Sequence, residues 1–463
     1  MPQPRLARVT AQRDAMDRTA VADVTPSGAF ARKESTFRNS FDVHGPHPPE
    51  RDRYVLVVSL ACPWACRALS VLHLKGLENV FKVVVTHPVW ARTRPEDAND
   101  AHCGWVFVKP GESIANPAGV GHFVADGRCS SSAPEDAKFV RDLYELCGAP
   151  KEQRFTVPLI WDTKARTIVN NESSEIIREM NTNFNAFSSS PERAALDLYP
   201  EALRERIDDI NGWVYHRVNN GVYKCGFAVT QEAYDQAVKD LFEALDDINS
   251  ILSESRYLCG DVFTEADVRL WQTLIRFDEV YVVYFKTNKK FIHQYEHISG
   301  YVRELWQMPE LRAATNMDHI KTHYFASHPS LNAHAIIPIG PDVNLDAPHG
   351  LVTPSKRLTT SRLAARAHIA TRYERKVVVL FKATGDAPIL RRNVVKIRAS
   401  AKFEEILAHL TKSTRCERAF AYLGAAFAPR YDATIGALCD GYGERNDEGG
   451  KLVVFYSTTP AWG

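Results

Sequence analysis

The sequence lacks the long apolar segment that a membrane-spanning helix requires. No stretch reaches the roughly 18 consecutive apolar residues that are needed to cross a bilayer, and residues 1–21 do not contain the apolar core of a secretory signal. We therefore expect a cytoplasmic protein. The same N-terminal arm carries Arg5, Arg8, Arg13 and Arg18 with few acids. This pattern weakly resembles an organelle transit peptide, although a disordered basic arm is the interpretation that we favour.

An excess of charge of one sign is also lacking. The 57 Lys and Arg residues nearly balance the 56 Asp and Glu residues, which leaves a formal charge of +1. The summed charge therefore gives no reason to expect nucleic acid as a partner. The nine cysteines form no CxxC pair and no Cys/His array with zinc spacing, so we expect neither a disulfide framework nor a metal site.

The length of 463 residues is too great for one ordinary core, because a domain usually has roughly 100 to 200 residues. Changes in the sequence pattern predict a multi-domain α+β protein. We predict an N-terminal arm (1–45), an α/β domain (46–180), an all-helical domain (190–330), a proline- and arginine-rich linker (331–373) and a second α+β domain (374–463).

The α/β domain contains a cysteine where a strand is predicted to turn into a helix. A β-branched apolar run from Tyr54 is followed by Cys62 and Pro63, and a second strand from Lys82 to Thr86 completes a β-α-β unit. Pro63 fits the first helical turn, where its missing N–H costs nothing. Further along, Val157-Pro158 falls within a predicted strand, which favours an edge or bend and a cis peptide bond.

Cys62 is the candidate nucleophile, because the unpaired N–H groups at a helix N-terminus favour a thiolate. The alternative is a buried structural thiol. Arg67, one turn further along, either adds positive potential or is a solvated helix residue. Cys66 is either a resolving thiol or, as we favour, a buried helix residue.

Two further patterns define the other domains. Helical spacing predominates from residue 191 to 322, where Thr264 and Asp267 form a capping box, so we interpret Asp267 as a cap and not as a catalytic acid. The last ninety or so residues predict the order β-β-α-β-β, with one helix covering one sheet face. The sequence ends in Gly463, which has no side chain to obstruct a reaction at its carboxylate.

Five segments of the first two domains resemble the glutathionyl-hydroquinone reductases, the xi class of glutathione transferases. They are Val58 to Ala65, Gly104 to Phe107, Ile168 to Ile176, Val218 to Lys224 and Thr264 to Leu270. The resemblance implies a thioredoxin-like domain followed by the all-helical glutathione-transferase C-terminal domain. It also implies that family members are usually dimers, so we expect that this chain could form a homodimer.

This resemblance implies that Cys62 attacks the sulfur of a glutathionylated hydroquinone and holds glutathione, the co-substrate, as a mixed disulfide. The residues expected to hold glutathione are Trp105, the backbone of Val157, Glu172 and Ser173. Alternatively, Trp105 is a core residue and Ser173 a helix cap. The residues expected to contact the hydroquinone are Tyr215 and Tyr324, with Tyr223 as a competitor.

Three positions depart from the xi-class pattern, and they leave the choice of hydroquinone open. Cys66 stands where the family usually has histidine. Tyr284 and Thr287 replace its usual histidine and cysteine.

Four segments of the last domain resemble the twelfth autophagy-related protein, a ubiquitin-like modifier. They are Val378 to Ile389, Phe427 to Pro429, Gly449 to Val453 and Ala461 to Gly463. The resemblance implies a ubiquitin-like β-grasp domain whose Gly463 is activated, passed to a conjugating enzyme as a thioester and joined by an isopeptide bond to a lysine of the fifth autophagy-related protein. That conjugate acts with a coiled-coil partner at the preautophagosomal membrane, with which we expect peripheral association. Trp462 is expected to act in conjugation or partner binding, or to pack on the sheet.

Together these features predict a bifunctional fusion of a glutathione-dependent enzyme and a protein modifier. The alternative is a glutathione-dependent oxidoreductase alone, either with an inactive tail or with two neighbouring genes joined in error within residues 338–375.

Overall fold

The computed structural model describes residues 28, 30, 34–150, 153–351, 376–385, 387–414, 416, 419–423, 428–431, 433–443 and 451–458. The chain divides into two compact units, residues 1–357 and 358–463. Most of the N-terminal arm, residues 352–375, Trp462 and Gly463 lie outside the described residues. In the part of the chain that the structure describes, no helix combines the length and apolar character that crossing a membrane requires.

The first unit begins with a thioredoxin-like α/β domain. Its elements are β1 (Tyr54–Val58), α1 (Pro63–Leu74), β2 (Phe81–Val85), β3 (Ala91–Arg92), β4 (Cys103–Gly104), β5 (Ser113–Ile114), β6 (Phe123–Val124), α2 (Val140–Leu146), β7 (Leu159–Asp162), β8 (Thr167–Asn170) and α3 (Ser173–Thr182).

The main sheet of this domain has the strand order β2-β1-β7-β8. Strand β1 pairs parallel with β2 and antiparallel with β7, and β7 pairs antiparallel with β8. Every residue of β1 is buried, as its uninterrupted apolar run predicts for a central strand. The predicted β-α-β unit is confirmed, and the expected cis bond is present between Val157 and Pro158.

A helical domain completes the first unit. Its elements are α4 (Pro191–Ala195), α5 (Arg204–Val214), a π-helical turn (Tyr215–Asn219), α6 (Gly221–Phe227), α7 (Gln231–Leu252), α8 (Glu265–Arg276), a second π-helical turn (Phe277–Tyr281), α9 (Val282–Tyr284), α10 (Glu296–Trp306), α11 (Pro309–Ala313) and α12 (Met317–Ala326).

Asp267 caps α8, as the sequence predicts. Its carboxylate accepts hydrogen bonds from the Thr264 backbone N–H (2.9 Å) and from the hydroxyl of Tyr301 (2.9 Å). Burial raises the pKa of this carboxyl to about 6, and its hydrogen bonds oppose the rise. The contacts of this fully buried carboxyl give it a structural role, which is to cap the start of α8.

Residues 331–351 contact the helical domain. The Trp306 indole N–H donates to the Asp346 carboxylate (3.0 Å), and Lys321 donates to the carbonyl oxygen of Ile339 (2.6 Å). The side chain of Gln307 donates to the carbonyl oxygen of Ala347 (2.8 Å). Polar contacts to a backbone without regular structure require no apolar periodicity, so the sequence pattern gives no sign of them.

Within its described residues, the second unit has one mixed sheet and two helices. Its elements are β9 (Lys376–Ala383), β10 (Val394–Arg398), α13 (Phe403–Thr414), β11 (Phe420–Leu423), α14 (Ile435–Tyr442) and β12 (Lys451–Ser457). The strand order is β10-β9-β12-β11, with β9 and β12 parallel. This arrangement fits the ubiquitin-like fold.

The core of the second unit lies between the sheet and α13. Phe403, Ile406 and Leu410 are buried against alternate residues of β9 and β12, as a helical stripe and a period-two strand pattern predict. The expectation of a single helix is wrong, because α14 follows the Thr434 cap. Its eight residues include two glycines, which lower helix propensity and obscure the signal.

Candidate active site

Cys62 lies at the N-terminus of α1. It is the N-cap residue, with φ −81° and ψ 118°, and its carbonyl accepts the hydrogen bond of Cys66 N–H (2.9 Å). The side chain is 9% exposed, yet it lines a cavity of about 670 Å³. The sulfur is therefore at the wall of a cavity and not sealed in apolar packing.

The peptide before Pro158 faces this thiol. The Cys62 Sγ–H donates to the carbonyl oxygen of Val157 at 3.4 Å. The side chain of Val157 is apolar, so its backbone is the part that offers polar contacts. A backbone edge beside a sulfur suits an extended peptide-like ligand.

Glu172 and Ser173 occupy the start of α3, on the same cavity. Glu172 is the N-cap residue, and its carboxylate accepts from Ser174 N–H (3.0 Å) and from the hydroxyl of Ser35 (2.9 Å). Burial alone would raise the pKa of Glu172, but the bonds from Ser174 and Ser35 hold it below its ordinary value. The helix cap is therefore Glu172, and Ser173 is the first helical residue.

Arg67 is buried beside these residues, so the interpretation as a solvated helix residue is wrong. Its guanidinium donates to the Ser173 hydroxyl (3.3 Å) and lies 4.7 Å from the ring centre of Trp64. Burial lowers the pKa of Arg67 to about 9, which leaves it cationic at neutral pH. The cavity wall thus combines a carboxylate with a cation, which suits a ligand that carries both charges.

A second buried arginine, which the sequence pattern did not predict, supports the thiol end of α1. Arg276 donates to the carbonyl oxygen of Ala61 (3.4 Å) and to the sulfur of Cys66 (3.1 Å). Cys66 is fully buried, and burial raises the pKa of its thiol to about 11. Cys66 is therefore a protonated helix residue at neutral pH, as the favoured interpretation holds.

Two pairs of aromatic rings line the cavity. Trp105 stacks on His323, with ring centres 4.6 Å apart and an angle of 27°. Tyr215, which also lines the cavity, begins the π-helical turn after α5, and its ring lies 5.8 Å from that of Trp64. Flat apolar surfaces of this kind suit an aromatic ligand.

Buried tyrosine hydroxyls supply further polar groups. Tyr324 shares hydrogen bonds with Tyr223 (2.7 Å) and Tyr281 (3.1 Å). Burial raises the pKa of Tyr324 and of Tyr281 well above the ordinary value, so both hydroxyls are neutral. Tyr223 and Tyr324 both line the cavity. The alternative candidate for contact with the hydroquinone therefore lies at the site as well.

The structure thus brings all the sequence-predicted residues of the first unit to one cavity. Those that line it are Cys62, Trp105, Val157, Glu172, Ser173, Tyr215, Tyr223 and Tyr324. Sequence reasoning missed many other lining residues, and Arg154, His323 and His328 are among them. No local pattern marks them, because residues this far from Cys62 in the sequence reach the same cavity only through the tertiary fold. The predicted conjugation residues Trp462 and Gly463 lie outside the described residues.

A thioredoxin-like sheet, a cysteine at a helix start facing a cis-proline and a following helical domain define the glutathione transferase class. The profile of the glutathione S-transferase N-terminal domain matches residues 61–183, and that of its C-terminal domain matches residues 231–304. Over 331 residues the chain is 44% identical to glutathionyl-hydroquinone reductase YqjG of Escherichia coli, covering 70% of this chain and 92% of the relative. The first unit belongs to the xi class of glutathione transferases, the glutathionyl-hydroquinone reductases.

A solved structure agrees with this assignment. The glutathione-bound structure of YqjG from Escherichia coli K-12 has a TM-score of 0.59 and 43% identity, covering 68% of this chain and 96% of that chain.

The second unit belongs to a different family. The profile of the ubiquitin-like autophagy protein Apg12 matches residues 376–463. The ubiquitin-like protein ATG12 of Cryptococcus neoformans is 41% identical over 90 residues, which cover 19% of this chain and 82% of the relative. The chain is therefore a fusion of an enzyme domain pair with a ubiquitin-like modifier domain.

Proposed function

We propose that the first unit reduces glutathionyl-hydroquinones through Cys62, with glutathione as the second substrate. The observation that carries this proposal is the position of the Cys62 sulfur, at a helix start and 3.4 Å from the Val157 carbonyl on the wall of one large cavity. The names of the relatives support the substrate class, and the E. coli relative binds glutathione.

Glutathione binds along the Val157 backbone and the start of α3. The backbone of Val157 pairs with the peptide part of glutathione, and Trp105 covers it. Glu172 takes the ammonium group, while Ser173, at the N-terminus of α3, takes a carboxylate with Arg67 behind it. The hydroquinone ring lies against the aromatic side chains of Tyr215 and Tyr324.

The reaction has two steps, and in each of them a thiolate attacks a sulfur atom. In the first, the Cys62 thiolate attacks the glutathione sulfur, forming an S–S bond as the sulfur–aryl bond breaks. The two sulfurs are oxidised to a disulfide, and the aryl carbon keeps the electron pair and takes up a proton, which yields the free hydroquinone. In the second step, the thiolate of another glutathione attacks the mixed disulfide, which releases glutathione disulfide and restores Cys62.

The direct test is steady-state reduction of S-glutathionyl-hydroquinone by the full chain. We expect the wild type to release hydroquinone and glutathione disulfide in equal amounts, because each turnover makes one of each. Release of hydroquinone without glutathione disulfide, or no release at all, contradicts the proposal.

We further propose that the second unit is a protein modifier, joined through Gly463 to a lysine of the fifth autophagy-related protein. The Apg12 match, which extends to residue 463, supports this. An activating enzyme and a conjugating enzyme of the autophagy system carry the chain to its acceptor, which acts with its coiled-coil partner at the preautophagosomal membrane. Peripheral association with that membrane follows from the conjugate, and a homodimer of the first unit would present two modifier domains.

Mass spectrometry of starved cells tests the modifier proposal. We expect a branched peptide that joins Gly463 to an acceptor lysine, and we expect it to disappear when Gly463 is deleted. A peptide that crosses residues 338–375 in the same sample tests the fusion itself. Separate pools of the two units, with no crossing peptide, favour the alternative of two neighbouring genes joined in error.

A further inference from the structure

One buried side chain of the cavity has no role in the mechanism above. His328 follows α12, is 5% exposed and lines the same cavity as Cys62. Its position is fixed by its own backbone, because its carbonyl accepts from the N–H groups of Leu331 (3.0 Å) and Asn332 (3.1 Å).

The imidazole of His328 has ring nitrogens that form no well-aligned hydrogen bond within the described part of the protein. Neither ring nitrogen makes a hydrogen bond of ordinary geometry with a described residue. Rings surround it instead, with Trp90 at 4.8 Å, His323 at 5.5 Å, Tyr284 at 5.8 Å and Phe227 at 6.0 Å between ring centres. Leaving a buried polar group without a partner is costly, so such a group on a cavity wall points to a ligand.

Three tyrosine hydroxyls and one ring nitrogen of His323 in this part of the cavity are already paired. The hydroxyls of Tyr223, Tyr281 and Tyr324 bond to one another. The Nδ1 atom of His323 lies 2.8 Å from the Pro88 carbonyl oxygen and 3.1 Å from the Ser327 hydroxyl. Burial lowers the pKa of His328 to about 4, although the Tyr324 carbonyl opposes this. A neutral imidazole offers one N–H donor and one acceptor, which is the pattern that a phenolic hydroxyl complements.

We propose that His328 binds a free phenolic hydroxyl of the hydroquinone and thereby selects substrates that carry one at that position. This inference rests on the proposed reductase function. His328 acts on recognition and not on sulfur transfer, so its loss weakens binding of the hydroxylated ring more than it slows the chemistry.

The test compares matched substrates and variants of the full chain. The substrates are S-glutathionyl-hydroquinone and its two mono-O-methyl ethers, in which one hydroxyl at a time can no longer donate. We expect the wild type to prefer the free hydroquinone over one of the ethers by about tenfold or more in kcat/KM, mainly through KM. The same preference should fall to near unity in His328→Met and persist in His328→Gln, which keeps a donor and an acceptor.

His334→Phe is the control, because His334 is exposed and does not line the cavity, and it should keep the wild-type preference. Equal losses on all three substrates in His328→Met, with no rescue by glutamine, indicate a packing role and overturn the inference. If the methionine variant does not fold, equal wild-type rates on the hydroquinone and both ethers still overturn the inference. A wild type inactive on every thioether overturns the proposed function as well, which separates the two failures.

Discussion

The Sγ atom of Cys62 lies 3.4 Å from the carbonyl oxygen of Val157, at the cis peptide bond that precedes β7. A thiol at a helix start and a backbone edge at a strand start therefore share one end of the α/β domain. This contact aligns the nucleophile with the strand edge along which an extended tripeptide can bind.

Cys62 is the first target for substitution. We expect Cys62→Ser to lower kcat/KM on S-glutathionyl-hydroquinone by roughly three orders of magnitude or more, because a hydroxyl is a poor nucleophile towards sulfur. Steady-state kinetics measure the loss. Cys259→Ser is the matched control, since Cys259 is half-buried and does not line the cavity. A Cys62→Ser enzyme that keeps wild-type activity would falsify the assignment.

The two cysteines at the start of α1, Cys62 and Cys66, should differ sharply in reactivity. The pKa of Cys66 is raised to about 11 by burial, so at pH 7 it is a thiol, whereas Cys62 opens onto the cavity. Iodoacetamide followed by peptide mapping should modify Cys62 first and leave Cys66 unmodified in the folded chain. Modification of Cys66 at the same rate as Cys62 contradicts this picture.

Glu172 should control affinity for glutathione. We expect Glu172→Gln to raise the KM for glutathione by about tenfold, because the variant keeps the helix cap but loses the charge that attracts the ammonium group. Glu179→Gln, on the same helix, should have little effect, since Glu179 contacts the Phe41 N–H and does not line the cavity. An unchanged KM in Glu172→Gln means that the ammonium group binds elsewhere.

Local patterns predicted the parts of the fold that short segments determine. The buried run of β1, the helix start at Cys62 and the capping box at Asp267 each follow from a few neighbouring residues, and the structure contains all three. Arg276 could not be predicted in the same way, because its bond to the Ala61 carbonyl joins residues 215 positions apart. Such contacts depend on how the helical domain packs against the sheet, which no local periodicity encodes.

The stability of the second unit should depend on the buried apolar side chains of α13. We expect Ile406→Ala to lower the free energy of unfolding of the second unit by about 2–5 kcal/mol, because the fully buried side chain leaves a cavity in the core. Val394→Ala, at a position 43% exposed, should cost far less.

Chemical denaturation of the full chain, followed by hydrogen exchange of β9 and β12, measures the change. Equal effects of Ile406→Ala and Val394→Ala contradict the assigned core. Reductase activity serves as an internal control, because Ile406 belongs to the second unit.

Intact-mass spectrometry of the full chain, mixed with S-glutathionyl-hydroquinone in the absence of free glutathione, tests the central claim most directly. We predict one glutathione bound per chain as a disulfide on Cys62, one equivalent of released hydroquinone and removal of the adduct by added glutathione. No adduct, or an equal adduct on the Cys62→Ser chain, contradicts the account.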